Sequence, residues 1–166
     1  ATEQWFISMG GASNGKPSLP RRVSGRLKTA VAVAASPCAV ASSRCAKFTP
    51  PVAAFPAHWA PVDIKFYTGN QFPAKYRGGA FIAFHGSWNR APLPQAGYNV
   101  TFQPMAGGKA TGEFEVFADG FTGKSSVANP NDAVARPDGI AQAPDGSLYI
   151  GESQKGKIWR VMYTGR

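Results

Sequence analysis

Six positions of this chain, His85 to Arg90, hold His85, Trp88, Asn89 and Arg90 in the run Phe81-Ile82-Ala83-Phe84-His85-Gly86-Ser87-Trp88-Asn89-Arg90. An imidazole can donate or accept a hydrogen bond, an indole offers a flat face, and a guanidinium pairs with carboxylates. Plainer roles stand beside these: a Trp can cap a sheet, and an Arg can be a solvated surface charge. Two further groups have usable chemistry. Arg136 and Asp138 flank Pro137 just before Gly139, and His58-Trp59 sits in Ala57-His58-Trp59-Ala60-Pro61. An Asp before Gly is more often a turn former than a ligand, and a satisfied structural histidine is the plain alternative for His58.

Metal chemistry has less support. Calcium takes six to eight oxygens, several of them usually carboxylates. The acidic residues after Pro50 are scattered, and no D-x-D-x-D-G loop occurs; Asp132 in Asn129-Pro130-Asn131-Asp132 comes nearest. The metal ligands are therefore unassigned. Cys38 and Cys45 are the two cysteines. Alone they cannot build a structural zinc site, and a short-loop disulfide and two free thiols both remain open.

The elements that would position these residues are short. Asp63–Tyr67 alternates with period two, Ala80–Phe84 is an apolar run, and Tyr98–Gln103 and Glu113–Phe117 alternate again. After a polar loop over 118–135, Gly139–Gln142, Ser147–Gly151 and Lys157–Tyr163 read as strands. Pro144-Asp145-Gly146 turns the first two of these into a hairpin. With 19 Gly and 14 Pro and no amphipathic helix, the fold class is all-β. The strands fall into a group of four and a group of three. Four-stranded units of this length build β-propellers, but seven strands would also make a Greek-key sandwich, and periodicity does not choose between them. Gln4–Met9 could supply the missing outer strand of the second group.

Composition narrows the function. The net charge is +9, yet residues 1–50 carry seven Lys/Arg against Glu3 alone, while 51–166 carry eleven basic and eight acidic residues. The excess is local, and no nucleic-acid motif accompanies it, so no nucleic-acid partner is expected. No apolar stretch is long enough for a membrane-spanning helix. Residues 1–50 read as an irregular, basic, Ala/Ser/Arg-rich segment, and 51–166 as the structured part. Arg21-Arg22 followed by an Ala/Val run and small residues loosely imitates a signal peptide, but Pro37 interrupts it and it is not at the N-terminus, so a long surface loop fits better.

The ordered series Phe55-Pro56-Ala57-His58-Trp59-Ala60-Pro61, Phe66-Tyr67-Thr68-Gly69, Phe72-Pro73, Tyr76-Arg77-Gly78-Gly79 and His85-Gly86-Ser87-Trp88-Asn89-Arg90 carries a family signature. With Gly97-Tyr98, Arg136-Pro137-Asp138-Gly139-Ile140 and Ala143-Pro144-Asp145-Gly146-Ser147-Leu148, it resembles the C-terminal portion of the glucose/sorbosone dehydrogenases, soluble quinoproteins dependent on pyrroloquinoline quinone (PQQ). The resemblance covers about residues 51–166. It implies about two blades of a six-bladed propeller, PQQ and calcium as cofactors, a sugar substrate, an external electron acceptor, and a periplasmic or secreted location. PQQ carries three carboxylates, so His85, Arg90 and Arg136 are its expected polar contacts and Trp88 its stacking partner, with His58 and Trp59 on the sugar side. The family's catalytic histidine lies upstream, and neither His58 nor His85 matches it. No catalytic residue is therefore assigned, and the expectation is a C-terminal fragment inactive alone. A non-catalytic sugar- or anion-binding protein is the alternative. Open blade edges would favour self-association.

Overall fold

Pro61, which has no N–H to contribute to a ladder, opens the first regular element after residue 50, as Pro does at the start of an edge strand. A computed structural model describes residues 5–10 and 51–165. Its strands in chain order are β1 Trp5–Gly10, β2 Pro61–Phe66, β3 Ala80–Phe84, β4 Asn99–Gln103, β5 Met105–Ala106, β6 Lys109–Ala110, β7 Glu115–Ala118, β8 Pro137–Gln142, β9 Leu148–Glu152 and β10 Ile158–Tyr163. The longer strands form two four-stranded antiparallel sheets, ordered β2-β3-β4-β7 and β1-β10-β9-β8, and β5 pairs with β6.

This topology decides between the two all-β architectures left open by periodicity. β2-β3-β4-β7 and β8-β9-β10 each run as a meander, with β1 added at the β10 edge, and neither sheet has the interleaved order of a Greek key. The chain forms two propeller-type blades. β1 pairs with β10 from Trp5↔Tyr163 to Gly10↔Ile158, so the outer strand of the second blade comes from the stretch expected over Gln4–Met9. The rest of the 1–50 segment, including Cys38, Cys45 and the basic run, lies outside the described residues.

Most strand bounds differ from the sequence reading by one or two residues, and one hairpin is additional. β2 covers Pro61–Phe66 rather than 63–67, because Tyr67 turns into the core, where its hydroxyl donates to Gly146 O at 2.8 Å and accepts from Phe72 N at 3.0 Å. β7 runs Glu115–Ala118, two residues later at its start than expected. The β5–β6 hairpin is the added element. It turns on Gly107 (φ +57°) and Gly108 (φ +75°), the consecutive positive φ values that a tight two-residue hairpin demands.

The blades pack face to face through an aromatic layer. Tyr67, Phe72, Tyr76, Phe81 and Phe102 are buried with Ile140, Leu148, Ile150 and Val161 of the second blade. Phe81 meets the Phe117 ring edge-on at 4.6 Å and Tyr67 stacks on Phe72 at 4.8 Å. Ring pairs of this kind add about 0.5–1.5 kcal/mol each beyond their buried area. Polar clips set the register between blades. Asp63 Oδ2 accepts from Ile140 N at 2.7 Å, and Gln142 Oε1 accepts from Thr68 N at 3.0 Å. On the other side of β2, Val62, Ile64 and Phe66 remain about half exposed, leaving an apolar strip on the far face of the first blade.

Candidate functional site

The end of β3, the start of β8 and the end of β9 meet at one edge of the two blades, which brings together residues far apart in sequence. His85 follows β3 directly. Its backbone N–H donates to Ala60 O at 2.9 Å, and Gly86 N donates to Trp59 O at 3.0 Å, so the loop leaves the sheet already tethered. His58 and Ala60 take positive φ values of 66° and 54° to make that approach.

Gly86 sits at φ +93°, and a Cβ placed there would lie 2.5 Å from the Tyr98 ring. Only glycine meets both demands without strain. The buried Tyr98 hydroxyl donates to Ser87 O at 2.5 Å. Ser87 Oγ in turn donates to Gln95 Oε1 at 2.7 Å and accepts from Ala96 N at 2.8 Å. The base of the 87–96 loop is thus closed by buried polar side chains, and its tip carries the remaining motif residues outward.

Across the blade boundary, Arg136 reaches this turn from the second blade. Its Nε donates to His85 O at 3.1 Å and its Nη2 to Gly86 O at 2.9 Å. The guanidinium lies over the Tyr98 ring, 5.5 Å from the centroid. Arg136 Nη1 makes no hydrogen bond among the described residues. The His85 ring, half-buried, shares a 2.8 Å hydrogen bond between Nε2 and Ser153 Oγ. Burial, then the Arg136 cation, holds the imidazole below its ordinary pKa, with Asp138 opposing. The shift favours the neutral ring, and Nδ1 is unengaged among the described residues. Burial raises the Tyr98 phenol, partly offset by Arg136.

The other expected residues are placed differently. Trp88 is 71% exposed, so neither face is enclosed by the protein. Arg90 turns back on its own loop, Nη1 donating to Pro94 O at 2.9 Å. His58 is exposed, while Trp59 packs edge-on against Phe84 at 5.4 Å and Phe114 at 5.9 Å. Asp132 ends an exposed turn, and no group of three or more His, Cys, Asp or Glu side chains among the described residues could hold a metal. Two residues escaped the sequence reading. Ser153 and Glu152 touch His85 and its surroundings only through the pairing of the blades; a Glu-Ser at a strand end carries no signal of its own.

His85 and Arg136 are joined across the seam between two blades of a partial propeller. The chain belongs to the TrAA12-like family, whose model matches residues 15–164. It is 36% identical over 118 residues to an uncharacterized protein of Borreliella burgdorferi, covering 70% of this chain and 29% of that protein. It is 32% identical over 127 residues to a pyrroloquinoline quinone-dependent pyranose dehydrogenase of Coprinopsis cinerea, covering 67% of this chain and 16% of the relative. The chain therefore spans less than a third of the length of these relatives. Calcium and iodide structures of the Trichoderma reesei carbohydrate-active enzyme of family AA12 superpose with TM-scores of 0.53 and 0.52, at 25% and 24% identity over 72% of this chain and 28% and 29% of theirs. At the level of family, the chain is related to the quinoprotein sugar oxidoreductases.

Proposed function

We propose that this chain provides the C-terminal part of the cofactor-facing edge of a PQQ-dependent sugar dehydrogenase and is inactive by itself. The observation that carries the reading is the convergence of a neutral imidazole and a guanidinium, His85 and Arg136, at one seam. The pair fits a multiply anionic planar guest in kind: Arg136 retains its Nη1 donor, and His85 retains Nδ1. PQQ, when bound, would supply a two-electron acceptor for oxidising a sugar hydroxyl. The chain's own part is binding and orientation. Arg136 would pair with a carboxylate through Nη1, and His85 would hydrogen-bond an oxygen or nitrogen through Nδ1. Trp88 and Arg90 would flank the guest from the exposed loop, with His58 on the sugar side and Trp59 backing it. Calcium does not fit the described residues, which group too few carboxylates, so no role is derived for it.

The division into a basic 1–50 segment and a 51–166 blade pair belongs to this proposal, as do an external electron acceptor and a periplasmic or secreted location. The half-exposed Val62, Ile64 and Phe66 support self-association of the chain when it stands alone. No helix among the described residues is long and apolar enough to cross a membrane.

Titrating the chain with PQQ while following tryptophan emission tests the assignment. Saturable quenching that weakens in Arg136→Lys is expected, without dye reduction when glucose is added. Quenching that is linear in PQQ and identical in the variant removes the cofactor reading and leaves a general anion- or sugar-binding role.

A further inference from the structure

Glu152, the last residue of β9, is only 6% exposed and has no cationic side chain paired with it among the described residues. A buried carboxylate is costly unless hydrogen bonds replace its water. Here they do. Oε2 accepts from Gln154 N at 2.8 Å, and Oε1 accepts from Lys155 N at 2.7 Å and Lys157 N at 2.9 Å. One side chain therefore gathers the 153–157 loop, which lies beside the start of β8.

These two segments supply what the second blade contributes to His85. Ser153 meets the ring at Nε2, Arg136 holds the carbonyl, and Ser153 N donates to Arg136 O at 3.3 Å. We propose that Glu152 is a positioning residue for His85: its carboxylate fixes, through backbone N–H groups, the loop that begins at Ser153, and Ser153 then holds the imidazole at Nε2. The link toward the site is Ser153, whose N–H donates to Arg136 O and whose Oγ meets the ring. Which ring nitrogen carries the proton is set by the hydrogen bond at the other, so the choice at Nε2 decides whether Nδ1 donates or accepts. Its bearing on catalysis rests on the reading of His85 as a cofactor contact. The positioning itself does not, and it is measured without cofactor.

The chain has two histidines, so the ring-nitrogen signals of an isotope-labelled sample separate into His58 and His85. In the native chain, the His85 Nε2 signal is expected to carry the shift of a hydrogen-bonded nitrogen. Glu152→Gln should reduce that shift, leaving His58 unchanged. Ser153→Ala should reduce it too, with the thermal midpoint kept, and Ser153→Thr should restore it. The proposal is overturned if folded Glu152→Gln or Ser153→Ala leaves the His85 signals as in the native chain. Should Glu152→Gln fail to fold, acid titration of the native chain decides. The Ser153, Gln154, Lys155 and Lys157 amide signals must shift together, with one midpoint below 4.5; a Ser153 amide that does not follow the others overturns it.

Discussion

Arg136 donates from its Nε to the carbonyl of His85 at 3.1 Å, fifty-one residues away in sequence and on the other blade. With the second bond to Gly86 O, the guanidinium ties the seam between blades and the turn that carries the candidate ligand contact. Stability and site geometry are therefore coupled at one residue, and substitutions there can separate the two.

Arg136→Lys keeps the charge but cannot reproduce two bonds from a planar fork. A loss of about 1.5–3 kcal/mol is expected, the range for hydrogen bonds involving a charged group. Urea unfolding followed by tryptophan fluorescence measures it. An unchanged midpoint would show that the two carbonyl contacts add nothing to the seam.

His85 gives a pH dependence of definite sign. Its folded pKa lies below the ordinary 6.5, so the folded state binds fewer protons than the unfolded state as pH falls below that value. Stability is whole above about pH 6.5, declines on acidification toward the folded midpoint, and levels off below it. His85→Gln should flatten this step. Thermal melts from pH 8 to pH 5 report it, and a native profile that is already flat in this window contradicts the assignment.

Gly86→Ala faces two penalties, a positive φ of 93° and a Cβ 2.5 Å from the Tyr98 ring. The backbone strain alone costs about 1–3 kcal/mol, and displacement of Tyr98 would break its bond to Ser87 O. A lower melting temperature is expected, with near-ultraviolet circular dichroism showing a changed tyrosine environment. Gly107→Ala, at a similar φ but with nothing near its Cβ, should cost less.

Trp88→Ala should leave stability within about 0.5 kcal/mol, as for an exposed side chain away from special features, because the ring is 71% exposed. Under the proposed function, the same substitution weakens PQQ binding. Calorimetric titration beside a thermal melt reads both, and unaltered affinity would place the indole outside the site.

Much of the fold was legible in the sequence because its signals are local. Alternation over Asp63–Phe66 and Tyr98–Gln103, the apolar run Ala80–Phe84 and the Pro144-Asp145-Gly146 turn each fix backbone preference within a few residues. Gly107-Gly108 is an equally local signal, and it marks the β5–β6 turn. The candidate site was legible only by type. His85 and Arg136 stood out as residues able to meet an anion, but nothing in either segment says that the two share a carbonyl contact. Trp59 shows the opposite case: the same sequence prominence accompanies a ring packed against Phe84 and Phe114.

By itself, the sequence determined the strands, their order and the family, since these follow from periodicity, turn chemistry and a motif read along the chain. The pairing of β1 with β10 realised an expectation already placed on Gln4–Met9, while tertiary structure alone decided that Arg136 holds the His85 turn and that Ser153 meets the His85 ring. Each of those contacts spans a separation at which one residue type carries no information about its partner. They form when the apolar faces of two sheets bury one another, which brings remote polar groups within hydrogen-bonding distance.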